Sequence, residues 1–452
     1  MSDTIAAVST GMQVSAIGIL RLSGDKAINI VDKLFIPRSG KKMSESEDRK
    51  LVFGSLCDLD GQTLDICLCT ISRAPHSYTG ENTAEIQCHG SPAVLRAALD
   101  AVFALGARQA LPGEFTKRAF LNGRMDLTSA EAVADIIDAE TAEAAKNAAG
   151  QLGGAIGRRI DKIYDFLTDL SSHYHAVLDY PDEDIEDFTL VAYKAELHAA
   201  IAELKRLADS YSGGKLLRGG IPAAIIGRPN AGKSSLLNAV LGYDRAIVTN
   251  IPGTTRDTIE EKLRLGGVLL RLTDTAGLRE TDDEIERLGV MRSHEAMENA
   301  ELVIAVIDGS GDVSAEDEEI IRCAEKAPHA VVAVSKSDLG KIAVLPETTL
   351  PVVELSSMTG EGLEKLAEVI KTLFPMPDAP AGEILTNARQ AEAVDRALAA
   401  LTAAYDALLQ GCTPDIVLTE AEGAMSALGE LSGKTVREDV TNRIFERFCV
   451  GK

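Results

Sequence analysis

The chain has 452 residues, 45% of them hydrophobic and 25% charged, with a formal net charge of −23 at pH 7. That length exceeds one ordinary core and predicts two or three domains of a soluble globular protein. So acidic a chain repels a phosphate backbone as a whole, so any nucleic acid needs a local basic patch or a separate basic partner.

No apolar run is long enough to span a bilayer. The start, "MSDTIAAVST", lacks the basic region and apolar core of a signal peptide, and the cytoplasm is the expected location. Seven cysteines without a paired CxxC spacing predict reduced, mostly buried thiols rather than a metal site.

In chain order, "TIAAVST", "IGILRLSG", "LVFGSLCD" and "LDICLCTISR" are short apolar runs bounded by turn residues, which predicts strands within a mixed domain over 1–118. From there to residue 215 the texture turns helical, as in "AEAVADIIDAETAEAAKNAAGQLGGAI" and "RRIDKIYDFLTDLSSHYHAVLDY", with apolar residues three and four apart. "SYSGGKLLRGG" reads as a flexible hinge. An alternation of apolar strands and amphipathic helices occupies 216–378, closed by "FPMPDAPAGE". Helices return over 379–452. The economical architecture is a multidomain α+β chain: an N-terminal α/β domain, then a discontinuous all-α domain interrupted by an inserted α/β domain.

"AAIIGRPNAGKSSLLNAVL" carries Gly227-x-x-x-x-Gly232-Lys233-Ser234 between an apolar strand and a helix, the context a P-loop requires. Backbone amides of Asn230, Ala231, Gly232 and Ser235 and the Lys233 ammonium suit a phosphate chain, and the Ser234 hydroxyl suits Mg²⁺. Further on, "DTAG" (Asp274, Thr275, Ala276, Gly277) offers a carboxylate at a strand end and an amide for a γ-phosphate. "SKSD" supplies Ser335, Lys336 and Asp338. The Asp338 carboxylate accepts two hydrogen bonds from a guanine edge and would face an acceptor on adenine, so GTP is favoured over ATP. Ser356, Ser357 and Met358 form a small loop for backbone contacts to the base. Together these four elements resemble the signature of Ras-like GTPases, with Ser335 standing where an asparagine is usual and expected to reach guanine less well.

Hydrolysis needs more than this frame. The place of the water-orienting glutamine in Ras-like switches is taken by Leu278, and no arginine is placed to act in cis. Asn230 offers an amide oxygen to a monovalent cation. "DRAIVTNIPGTTRD" offers carbonyls and Thr254, with Thr255 as the second Mg²⁺ ligand; such a loop could hold K⁺ where an arginine finger would sit.

Over nearly its whole length the chain resembles the MnmE (TrmE) type of tRNA-modification GTPase, on "SYTGENTAEIQCHG", "LPGEFTKRAFLNGRMDL", "AEAVADIID", "DYPDEDI", "NIPGTTRD", "DTAGLRETDDEIERLG" and the terminal "FCVGK". The resemblance implies a K⁺-dependent GTPase, homodimeric, whose inserted G domains pair. It implies an MnmG-type flavoprotein partner, in a heterotetramer that binds tRNA mainly through that partner. The pair would install an aminomethyl-type group at C5 of the wobble uridine. By position it implies that Glu286 orients the attacking water and that Asn230, Thr249, Ile251 and Thr254 hold K⁺. Asn250, Pro252 and Gly253 belong to the same nucleotide-binding switch. It implies an N-terminal folate-binding and dimerisation domain taking 5,10-methylene- or 5-formyl-tetrahydrofolate, lined by Arg21, Glu81, Arg124 and Lys452. Cys449 is marked for a role at the C-terminal tip, whose Gly451 is expected to bend. Two departures touch that site: Arg124 replaces the usual lysine, and "GMQVSA" follows Thr10 where glycine and proline dominate. Two other readings are a regulatory switch of the ribosome-assembly type, related in its G domain, and a folate-dependent one-carbon transferase with a regulatory GTPase inserted, which shares most of these residues.

Overall fold

The computed structural model describes residues 3–179, 190–243, 261–272, 300–340, 343–375, 379–435, 441, 444–446 and 448–451. They divide into two compact units: Met1–Ile137 with Ala149–Ile201 and Ala393–Lys452, and Asp138–Ala148 with Ala202–Glu392.

The first unit is built on a seven-stranded sheet, β1 (Ile5–Val8), β2 (Ser15–Ser23), β3 (Phe35–Pro37), β4 (Val52–Cys57), β5 (Thr63–Ser72), β6 (Thr83–Gly90) and β7 (Arg108–Gln109), in the order β3-β4-β5-β6-β2-β1-β7. The four runs expected to be strands are β1, β2, β4 and β5. Alternation sorts their side chains: Leu20 and Leu22 of β2, Cys67, Cys69 and Ile71 of β5 and Ala84, Ile86 and Cys88 of β6 are buried under helices Ala27–Leu34 and Pro92–Ala104. The intervening residues Arg21, Ser23 and Glu85 fall on the opposite face. There the helix Glu114–Leu121 sets Phe115 into a small cluster with Ile5, Ala7 and Ala110. Four of the cysteines are buried thiols of this sheet, and burial raises the Cys67 thiol to about 12, out of reach of ordinary thiolate chemistry.

The helical stretch expected from 119 onward opens with helices Leu127–Asp138, Ala142–Leu152 and Ala155–Asp179. The last break falls at Gly154, whose φ of +76° lies in the left-handed region that glycine tolerates. Ala155–Asp179 packs along Pro414–Ser432, and Lys434 pairs with Asp161 at 2.9 Å, so helices from before and after the α/β block meet, as a discontinuous helical domain requires.

The second unit holds a six-stranded sheet, β8 (Ile221–Gly227), β9 (Glu261–Leu265), β10 (Val268–Leu272), β11 (Leu302–Asp308), β12 (His329–Ser335) and β13 (Val352–Glu354), ordered β13-β12-β11-β8-β10-β9. All neighbours are parallel except β9 with β10. Helices Lys233–Tyr243, Ala315–Ala324 and Leu363–Leu373 accompany it. This is the doubly wound arrangement, in which ligands bind beyond the carboxyl ends of the strands.

One expectation fails. "SYSGG" is not a hinge, because helix Leu190–Gly219 runs straight through it. A Cβ on Gly214 would lie 1.9 Å from the Leu385 carbonyl oxygen. That glycine serves close packing, not freedom. The segment after the α/β block is clamped at the same place. The Asn147 side chain accepts from the Gly382 N–H at 2.8 Å and donates to the Ile384 carbonyl at 3.0 Å, and the Leu385 N–H reaches the Ser210 hydroxyl at 3.1 Å.

Candidate functional site: a phosphate and guanine frame, and an N-terminal acid cage

The carboxyl ends of β8, β11 and β12 are aligned by register, with Val306 opposite Gly227 and Asp308 opposite Ser335. The P-loop therefore leaves β8 beside the segment that carries Ser335 and Lys336. Asn230, exposed, has a φ of +61° and Gly232 one of +100°, which turns the chain tightly into helix Lys233–Tyr243. The Lys233 ammonium donates to the carbonyls of Gly227 and Arg228, both at 2.7 Å. Burial pushes its pKa down, and among the described residues no carboxylate pairs with it. A half-buried cation held, among the described residues, by carbonyls is arranged to meet phosphate oxygens. Ser234 and Ser235 are exposed on the first turn of that helix.

Ser335 is placed where the sequence reading did not put it. Its side chain is only 1% exposed and donates to the Ala231 carbonyl of the P-loop at 2.5 Å, with the Ile307 carbonyl at 3.1 Å as the alternative acceptor. The hydroxyl braces the P-loop. Lys336 adopts a φ of +58° and pairs with Asp308 at 2.6 Å. Burial alone would raise the Asp308 carboxyl, but Lys336 and the Ser310 hydroxyl and N–H outweigh it and hold it below the usual range. Asp338 is exposed in a single 3-10 turn, Ser337–Leu339, free of that brace. The second base loop is tied to the first by the Ser337 N–H on the Leu355 carbonyl at 3.2 Å. Ser356 is fully buried and its Oγ accepts from the N–H groups of Met358 and Thr359 at 3.3 and 3.2 Å, which curls the loop and leaves the Met358 side chain 86% exposed.

The sequence reading missed Arg228. Its guanidinium donates to the Ser314 hydroxyl at 2.8 Å and to Asp317 at 3.0 Å, tying the P-loop to the N-terminus of helix Ala315–Ala324. Ser314 and Asp317 form a capping box, and the S-x-x-D spacing ahead of an apolar run was the available signal.

Of the positions singled out for nucleotide and metal, Thr249, Asn250, Ile251, Pro252, Gly253, Thr254, Thr255, Asp274, Thr275, Ala276, Gly277 and Glu286 lie outside the described residues, as does Lys452.

In the N-terminal domain, Arg21 and Glu81 stand on one face but have different partners. Arg21 donates to Glu85 across the β2–β6 pair at 2.8 Å, with its guanidinium 5.6 Å from the Tyr78 ring centre and 5.7 Å from that of Phe115. Glu81 is caged. It accepts from the Ser23 hydroxyl at 2.7 Å and from Arg118 at 3.0 and 3.2 Å. Arg118, also unforeseen, binds Glu114 at 3.0 Å and Asp3 at 2.6 Å as well. Burial works against the Asp3 and Glu114 carboxyls, yet Arg108 and Arg118 hold both below the usual range. Arg124 is exposed, its aliphatic stem beside Gly80 in the turn before Glu81.

The C-terminal tip lies in this same domain. Phe445 and Phe448 pack with Leu127, Ala130 and Val133. Val450 bridges Pro112, and the Ser9 hydroxyl donates to the Gly451 carbonyl at 2.9 Å. Gly451 has a φ of +98°, and a Cβ there would lie 2.5 Å from the Val8 carbonyl oxygen. The expected bend is present and only glycine fits it. Cys449 is exposed, and its carbonyl accepts from the Gly113 N–H.

Comparison with known proteins agrees with this geometry. The profile of the GTP-binding protein TrmE N-terminus matches residues 4–124, and that of the MnmE helical domain matches 127–449. The tRNA modification GTPase MnmE of Symbiobacterium thermophilum is 41% identical, covering 100% of this chain and 99% of its own. Those of Heliobacterium modesticaldum and Clostridioides difficile are 41% and 40% identical, covering 100% of both chains. With relatives this similar from end to end, and a P-loop frame set between the two parts of a helical domain, the chain belongs to the MnmE family of tRNA modification GTPases.

Proposed function

We propose that this chain is a K⁺-dependent GTPase. With an MnmG-type flavoprotein it modifies C5 of the wobble uridine of certain tRNAs to an aminomethyl or carboxymethylaminomethyl derivative. GTP hydrolysis drives the conformational change, and a one-carbon tetrahydrofolate is the carbon source. In this reading it works in the cytoplasm as a homodimer within a heterotetramer, tRNA is bound mainly by the partner, and the segments 1–118, 119–215, 216–378 and 379–452 are the functional domains. The observation that carries the nucleotide part is Lys233, a half-buried ammonium with only carbonyl partners among the described residues. No helix among the described residues is long and apolar enough to cross a membrane.

The residues present fit the groups this reading needs. The exposed Ser234 hydroxyl suits Mg²⁺, with Thr255 as the second ligand; bound there, Mg²⁺ neutralises charge on the phosphates. The exposed Asn230 amide oxygen suits K⁺, with Thr249, Ile251 and Thr254 as the other ligands; bound there, K⁺ supplies the positive charge other switches take from an arginine. Lys233 and the P-loop amides from Asn230 to Ser235 bind the phosphate chain. Ser335 holds that loop in shape, Asp338 accepts from the guanine edge, and Glu286 orients water. Glu81, an acceptor on a rigid turn, suits the donor edge of a pterin, and Arg21 and Lys452 suit the glutamyl carboxylates, with Arg124 at the rim.

Glu286→Ala tests the hydrolytic assignment. Single-turnover hydrolysis should fall by about 10²-fold, the ordinary range for a lost base, while GTP affinity stays within about twofold. A large loss of affinity with little change in rate would show that Glu286 is structural.

A further inference from the structure

The turn that carries Glu81 is unusually determined. Its carbonyl accepts from the Ser77 hydroxyl at 2.5 Å, the Asn122 amide donates to the Thr79 carbonyl at 2.7 Å, and Gly80 makes the turn at a φ of +80°. Within it, three hydrogen bonds close a ring whose polarity can be assigned. Glu81, paired with Arg118, is a carboxylate and can only accept. The Ser23 hydroxyl, 2.7 Å from its Oε2, must therefore donate to it. Having spent its one proton, Ser23 must accept from Thr79, whose Oγ1 lies 2.7 Å away. Thr79 in turn accepts the Glu81 N–H at 3.2 Å. Both hydroxyl residues have 0% exposure, so water cannot reverse the ring. Among the described residues, Oε1 has Arg118 at 3.2 Å as its one donor, which leaves acceptor capacity on that oxygen.

We infer that Ser23 and Thr79 are specificity-determining positioning residues: they hold the Glu81 carboxylate, which Arg118 keeps acceptor-only, in one rigid orientation, so this site selects a ligand edge that presents adjacent N–H donors. A 2-amino-4-oxopyrimidine ring, as in a pterin, offers such an edge; a ring without the exocyclic amine does not. A buried acceptor left without its donor costs far more than one missing contact, and that asymmetry sets the selectivity. The inference rests on the folate reading given above and adds to it how the choice among ring systems is made.

The test is calorimetric titration of the full-length protein with 5-formyl-tetrahydrofolate and with its 2-desamino analogue. A folding defect weakens both ligands together; a carboxylate freed from its fixed orientation narrows the ratio between them. We expect a preference for the amino compound that shrinks about tenfold in Ser23→Ala and in Thr79→Val, the equivalent of about one charge-assisted hydrogen bond, and that returns in Ser23→Thr. If both substitutions leave the ratio of the wild type intact while folate still binds, the inference is overturned and the folate reading stands. If the wild-type protein binds neither compound, the folate reading fails and the inference with it. Two different substitutions guard against one that does not fold.

Discussion

Replacing Ser335 with alanine should weaken nucleotide binding without altering the choice of base. The Ser335 hydroxyl is buried and its 2.5 Å bond ends on the carbonyl of Ala231, itself only 2% exposed. Removing the donor leaves a buried carbonyl unsatisfied, at a cost of about 1–3 kcal/mol. Without nucleotide the loop can relax and let water reach that oxygen. Nucleotide forces the loop back around its phosphates, so most of the cost returns on binding. An effect of about 1–2 kcal/mol corresponds to roughly five- to thirtyfold in Kd, for GDP and GTP alike. Equilibrium titration with fluorescent GDP and GTP analogues, competed by ADP, measures both affinity and selectivity. Ser335→Thr, which keeps the donor, should stay close to the wild type. Ser335→Asn should gain no guanine affinity, because the side chain at this position is already engaged by the Ala231 and Ile307 carbonyls. Unchanged Kd values in Ser335→Ala, or a collapse of guanine over adenine selectivity, would refute the brace.

Gly451→Ala should release the C-terminal tip, since the left-handed φ and the Val8 carbonyl together exclude a Cβ, at a cost of about 1–3 kcal/mol; faster trimming by carboxypeptidase would report it. Asn147→Ala should destabilise by about 1–3 kcal/mol by taking away the acceptor of the Gly382 N–H, and amide exchange at Gly382 should accelerate. For Asp317, burial alone would raise the carboxyl, but the Ser314 N–H and hydroxyl and Arg228 outweigh it and depress it. A depressed acid contributes stability that is present above its unfolded value, near 3.9, and is lost as pH falls through the lower folded value. Thermal unfolding below about pH 4 should therefore decline more steeply in the wild type than in Asp317→Asn, and equal slopes would show that the pair with Arg228 contributes nothing.

What the sequence made legible was whatever is local. The P-loop, the strands β1, β2, β4 and β5 and the bend at Gly451 follow from residue type and spacing within a few positions. What it hid depends on partners far along the chain. "SYSGG" has the composition of a hinge, and only the Leu385 carbonyl against Gly214 shows that the glycine is there to be packed upon. Ser335 looked like a weakened guanine contact because the sequence does not display the Ala231 carbonyl above it. Arg118 was one cation among many in "LPGEFTKRAF" until the fold brought Glu81, Glu114 and Asp3 around it. Local chemistry is written in the sequence; the partner that gives a polar group its task is supplied by topology.

The central claim, that a monovalent cation held by Asn230 and its switch does the work of an arginine, is tested most directly by GTP turnover in KCl and in NaCl at equal ionic strength. Turnover should be at least about tenfold faster in KCl, and that advantage should disappear in Asn230→Ala. Equal rates in the two salts would contradict the account.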